Sequence, residues 1–380
     1  MKQYYFSIFL FLVILGGPFS ATGQILKDDA AKQLSAQALD KIYNFQFAEA
    51  KGLVSQLEKK YASHPVLPFF RAYLLSWERF PLDKNSPAFS QYDLYLQEAV
   101  KKAKLLADKQ EELSTLEGNF FLTMSYGLLA LHEAESGDFM QSVGYGKKSY
   151  HYMKKGFGLE ERYPDMHFAT GLYRYYAVQY PETHPIAKPF MAFFPDGNKT
   201  RGLWHLARAS NVSQFSHVEA KIYLLAIYAK YEQNFLQMVG YTQQLVNRYP
   251  QNPFFWVKHC EALAHVGRFA EAELYLARFQ GRSENLYRSA RNLILGVVQE
   301  KYYKSDDKAA QFYQDVVNAG KYDKRYTMDY FAFAYAGLAR IADRKGQIEA
   351  ARKYYKEAQK ITEYESLKAE IEAYLKKKGQ

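Results

Sequence analysis

Two stretches of this chain align on each other without a gap: YLLAIYAKYEQNFLQMVGYTQQLVNRYP from Tyr223 and VKHCEALAHVGRFAEAELYLARFQGR from Val257. Phe235 and Phe269 fall 34 residues apart, as do Met238 and Ala272. A fixed period of this length constrains the fold strongly. It belongs to stacked units that each contact their neighbours, so 380 residues need not share one growing core. In the second stretch Trp256, Cys260 and Leu263 recur at helical spacing. Gly267 ends that helix, Phe269 enters the next, and Ala272, Leu276 and Phe279 line its buried face. Two antiparallel helices that cross tightly need small residues at the crossing and larger ones in the groove to the next unit.

A clearer copy lies at the C-terminal end, with Tyr335, Leu338, Ala339 and Ala342 on one helix. Gly346, Ile348, Ala351, Tyr355 and Ala358 mark the turn and the second helix. These positions resemble the tetratricopeptide consensus, whose repeats are helix pairs of this period. Weaker copies surround Tyr303, Ala309, Tyr313 and Val316. Another runs from Tyr126, Leu129 and Ala130 through the turn Gly137-Asp138-Phe139 to Ser142, Gly146 and Ser149. Near the start, Tyr43, Phe47, Ala50, Val54 and Leu57 read as the second half of a hairpin closed by His64-Pro65. The count comes to about five repeats. Pro65, Pro68, Pro81, Pro87, Pro250 and Pro253 punctuate the periodic segments, and no stretch shows strand alternation. The expected fold is therefore all-α, a tetratricopeptide-type (TPR) α-solenoid of antiparallel helix pairs.

Residues 163–213 break the period. They are rich in Pro, Gly and aromatics, and Phe194-Pro195-Asp196-Gly197-Asn198 is a turn signal before a helix expected from about Lys199. Gly171 reads as opening a helix that Pro181 closes, followed by FFPDGNKTRGLWHL with Gly202, Leu203 and Leu206. This block resembles the central segment of the tetratricopeptide repeat 39 and Iml2-like group. The resemblance implies a non-enzymatic repeat protein with membrane-associated or quality-control roles. The expected organisation is a signal peptide over 1–23, N-terminal helical repeats over 24–162, an irregular central insertion over 163–213 and a C-terminal TPR array over 214–380.

The first residues, MKQYYFSIFLFLVILGGPFSATGQ, have the layout of a secretory signal peptide: one Lys, an apolar run from Tyr4 to Leu15, then Gly-Gly-Pro and small residues, with Ala21 or Gly23 last removed. The apolar run is shorter than the roughly twenty residues that span a bilayer, which leaves an uncleaved anchor as the lesser reading. No Cys lies near the cleavage region, so lipoprotein attachment is not expected, and the single Cys260 excludes an intrachain disulfide. The expected location is periplasmic or envelope-associated. A net charge of +10 permits association with an anionic membrane surface. The lysines, however, are spread among glutamates at helical spacing, as in Glu98 and Lys102, rather than gathered. No nucleic-acid module is present.

Chemistry is hard to find. The nine histidines contain no His-Glu-x-x-His, and His259 and His265 stand six apart, on different faces of one helix. His132-Glu133 reads as lacking a further ligand. Asp165, His167, His184 and His205 could converge around the central block, although structural roles are the plainer reading for all four. Cys260 sits at a small-residue packing position rather than as a nucleophile. No catalytic residue, cofactor or metal site is therefore expected.

The function expected is an exported, non-catalytic scaffold that holds a protein or peptide partner along the concave face made by the first helices. Arg174, Lys221, Lys230 and Lys258 are expected there as exposed contacts. The alternative is a glycan- or lipid-binding protein. It would use a central platform of Tyr173, Tyr175, Tyr176, Tyr180, Phe190, Phe193, Phe194 and Trp204, the competing reading being that these rings are core.

Overall fold

A computed structural model describes residues 24–183, 188, 195–323 and 325–378. The proposed signal peptide therefore lies outside the described residues. Among those described, seventeen α-helices and no strands form a solenoid-like array. Sixteen of them follow one another as antiparallel pairs. The pairs are α1 Asp29–Tyr43 with α2 Phe47–Tyr61, α3 Val66–Glu78 with α4 Pro87–Ala107, α5 Glu112–Ser136 with α6 Phe139–Met153, and α7 Met166–Thr183 with α8 Lys199–Val212. They continue as α9 His217–Lys230 with α10 Phe235–Arg248, α11 Pro253–His265 with α12 Phe269–Tyr275, α13 Asn285–Lys301 with α14 Asp306–Val317, and α15 Met328–Arg344 with α16 Ile348–Ile361. A last helix, α17 Glu365–Lys378, covers the end.

Local chemistry sets the boundaries. Asp28, Asp138, Asn198, Asn234 and Asn252 each accept hydrogen bonds from backbone N–H groups of the helix that follows. Gly137, Gly267 and Gly346 turn the chain out of α5, α11 and α15 at φ values of 92°, 77° and 72°, which a side chain rarely tolerates. Pro87 and Pro253 occupy the first turns of α4 and α11, where the missing N–H costs nothing. Pro68 also lies inside a first turn, that of α3, rather than between helices.

Three expectations are corrected. Eight helix pairs are present instead of about five: each of the six copies named above forms one, and α3/α4 and α7/α8 add two that keep the architecture without the consensus residues. Tyr43 ends α1 and is not part of the second helix of its pair. The block 163–213 is not irregular throughout: residues 166–183 and 199–212 fold as the α7/α8 hairpin. Gly171 lies inside α7. A Cβ there would stand 2.8 Å from the Leu206 nitrogen, and one on Gly202 would stand 2.6 Å from the Tyr175 nitrogen. Those two glycines let the backbones of α7 and α8 approach closely, the role small residues play in the regular repeats.

The array folds back so that its N-terminal helices meet its middle. Asp40 of α1 pairs with Arg248 of α10 at 2.9 Å and accepts a hydrogen bond from Tyr249 at 2.7 Å. Asn252 donates to the Tyr43 carbonyl at 2.8 Å, and Tyr43 donates to Glu219 of α9. Trp77 and Phe80 at the end of α3 pack on Phe254, and Phe80 also meets Tyr326 at 5.1 Å between centroids. One hydrophobic core runs from Ile25 to Ile371, and a smaller one forms around Phe168, Tyr175 and Leu206 of α7 and α8. The high aromatic content is consumed in these cores, with Tyr43, Tyr175, Tyr249, Tyr287 and Tyr313 among the largest fully buried side chains.

Candidate functional site

The lysines expected on an open concave face are turned inward on their own protein. Lys230, on α9, lies 3.0 Å from Asp329 of α15 and 2.9 Å from Glu363. Burial works against its charge, but the two carboxylates outweigh that and hold its pKa above the ordinary lysine value. Lys258, on α11, pairs with Glu261 at 2.9 Å and sits over the rings of Phe254 and Tyr330. Lys221 donates to the Ser210 carbonyl, and burial lowers its pKa to about 8 with Arg248 adding to the effect. Arg174 is half-buried, with an Nε that has no hydrogen-bond partner. None of the four is exposed, which corrects the expected partner face. Only Lys230 meets carboxylates brought by a distant helix, whereas Lys258 and Lys221 find their partners on their own or the adjacent helix.

The central hairpin is mostly core. Tyr175 is buried and donates to Glu232 at 2.6 Å, and Tyr176 packs edge-on against it with Tyr223 and Tyr231 nearby. Tyr173 donates to the Pro195 carbonyl and stacks near Tyr150. Trp204 is 54% exposed, with its edge against His167 and His205. Phe190, Phe193, Phe194 and His184 lie outside the described residues. The rings of Tyr173, Tyr176 and Trp204 therefore do not share one open platform. His167 and His205 do come together, with Nδ1 atoms 2.9 Å apart, so one ring donates to the other. Burial lowers the pKa of both. Asp165 leaves that group: its carboxylate accepts from the backbone N–H groups of Gln214, Phe215 and Ser216 and fixes the entry to α9.

Helix α6 differs from every neighbour of its length because none of its residues is buried. Ser142 and Ser149 bond the carbonyls of Ala130 and Thr123, so small residues do bring one face of α6 onto α5. Beyond that face stand Lys147 and Lys148, with Lys154 and Lys155 in the turn after α6, all exposed and with no ion pair among the described residues. No acidic residue occurs from Phe139 to Leu159. Lys148 lies 5.2 Å from the Tyr145 ring centroid and Lys155 4.9 Å from that of Tyr152, which holds cations and rings together on one surface. The run was readable in the sequence as a stretch without carboxylates, but only the packing shows that it stays open.

Two further features complete the inventory. A pocket of about 260 Å³ opens between α1, α5 and the end of α8, floored by Leu116, Phe120 and Phe215 and edged by Lys32 and Arg162. On α5, His132-Glu133 is not without a further ligand: α4 brings Asp93 beside them, with its Oδ1 3.8 Å from His132 Nδ1. Cys260 is fully buried and burial pushes its thiol pKa up, as suits a packing residue. No described helix is long and apolar enough to cross a membrane. No family model and no curated protein matches this chain.

Proposed function

We propose that this chain is an exported, non-catalytic scaffold of the tetratricopeptide type that holds an acidic segment of a protein partner on the outer face of α6. The observation that carries this reading is the surface itself: four lysines without ion pairs among the described residues, interleaved with tyrosines, on α6 and the turn that follows it, where no residue of α6 is fully buried. Uncompensated positive charge next to flat apolar rings attracts carboxylates and gives them surface to pack on. The inward lysines 230 and 258 already have carboxylate partners, which moves the proposed contact from the inner to the outer side.

The test places a photo-crosslinking residue at Met140, which is 72% exposed, and a second at Lys258, in intact cells. Protein adducts from position 140, lost when Lys147, Lys148, Lys154 and Lys155 are all changed to Glu in a folded chain, are the expected result. Adducts from position 258 alone, or adducts from 140 that survive the charge change, would overturn the proposal. Export is tested separately by sequencing the N-terminus of the mature protein, and a chain beginning at Met1 would contradict it.

A second reading keeps a small amphipathic ligand such as a lipid, favoured by the apolar floor and basic edge of the 260 Å³ pocket. Thermal stabilisation by a fatty acid, removed by Phe120→Trp, would support it.

A further inference from the structure

The α4/α5 pair carries a second feature that the outer-face reading does not use. His132 is only 9% exposed, yet neither ring nitrogen has a hydrogen-bond partner, although buried imidazoles are normally bonded. The ring is held in place by stacking on Phe89, with centroids 3.8 Å apart and planes 16° apart. Its Nδ1 faces Asp93 of α4 across 3.8 Å, which is too long for a hydrogen bond. A Glu133 carboxylate oxygen completes a set whose three ligand atoms all lie within 4.8 Å of one another.

These distances have a common explanation. Two ligands bound to one tetrahedral ion at about 2.0–2.1 Å stand roughly 3.4 Å apart. The gap between Asp93 and His132 is close to that separation and closes with a small side-chain rotation. Two carboxylates and one neutral imidazole neutralise a divalent cation and suit zinc in donor type.

We infer that Asp93, His132 and Glu133 form a zinc site that ties α4 to α5, with a fourth position left for water or for a donor from a bound partner.

The experiment uses the full mature chain without a polyhistidine tag, stripped with chelator and titrated with Zn²⁺ in a calorimeter. The expected result is one equivalent bound, with affinity weakened at least about tenfold in Asp93→Asn and binding lost in His132→Phe. Phe keeps the ring stack on Phe89 and removes both nitrogens. Replacing Zn²⁺ by Co²⁺ should give the strong visible absorption of a four-coordinate ion in the wild type and not in the His132 variant. Absence of binding at 100-micromolar-order Zn²⁺, or one equivalent retained in both variants, would overturn the site. Should His132→Phe fail to fold by circular dichroism, Asp93→Asn decides alone, since Asp93 lies nearer the surface. Loss of the α6 crosslink leaves this result unaffected, so the two proposals fail separately.

Discussion

Glu300 offers the sharpest test of how the C-terminal pairs are held. Its side chain is nearly inaccessible, at 3% exposure, and it accepts hydrogen bonds from Arg340 at 2.8 Å and from Tyr313 at 2.7 Å, with Arg344 at 3.1 Å. Burial by itself raises a carboxyl pKa, but hydrogen bonds and charge from Arg340 outweigh it and bring Glu300 from the ordinary 4.5 down to about 2. At 1.36 kcal/mol per tenfold change in proton affinity, that difference is worth ~3.4 kcal/mol. Removing one partner of a buried ion pair costs about 3–5 kcal/mol by an independent route, because the other charge is left behind. Glu300→Gln should therefore destabilise the chain by about 3 kcal/mol near neutral pH, read as a lowered urea midpoint. The pH dependence has a defined sign. A depressed folded pKa gives stability that is present above 4.5 and is lost as pH falls toward 2, and the Gln variant should lack that loss. A cost below about 1 kcal/mol, or an unchanged acid limb in the variant, would refute the argument that Glu300 binds α13 to α14 and α15 as an anion.

Four other outcomes follow from the packing. Glu219 is the opposite case: burial raises its carboxyl to about 7 and its Oε2 lacks a partner, so its contribution is lost as pH rises from 4.5 through 7. Glu219→Gln should then raise the melting temperature at pH 8 and flatten that limb. Gly337→Ala should cost about 2–3 kcal/mol in chemical denaturation, because the new Cβ would stand 2.2 Å from the Tyr313 ring, which Gly296 confines from the other side. Gly52→Ala in the exposed part of α2 meets nothing and should instead add about 0.5–1 kcal/mol. Asn252→Ala should cost about 2–3 kcal/mol in the same assay, since this fully buried side chain both caps α11 and donates to the Tyr43 carbonyl.

Much of the architecture is written locally. The small residues at helix crossings, the glycines that end α5, α11 and α15, and the Asn or Asp caps act within a few residues of themselves, so spacing alone reveals them. The pair α7/α8 was harder to see because Gly171 and Gly202 do the work of the usual alanines at positions the consensus does not mark. His132 looked alone for a related reason: its neighbour Asp93 stands 39 residues earlier, on another helix, and nothing in the sequence states which turn of α4 faces it.

The sequence by itself therefore determined that this chain is helical, paired and elongated in plan, since those properties depend on short-range periodicity and turn chemistry. The tertiary structure alone decided that the first helices fold back onto the middle of the array. That folding back rests on contacts such as Asp40 with Arg248 and Tyr43 with Glu219, between residues far apart in the chain, and a further long-range contact sets Lys230 against Asp329. Which lysines keep a partner and which remain open to another molecule depends on that long-range geometry, and helical periodicity carries no record of it.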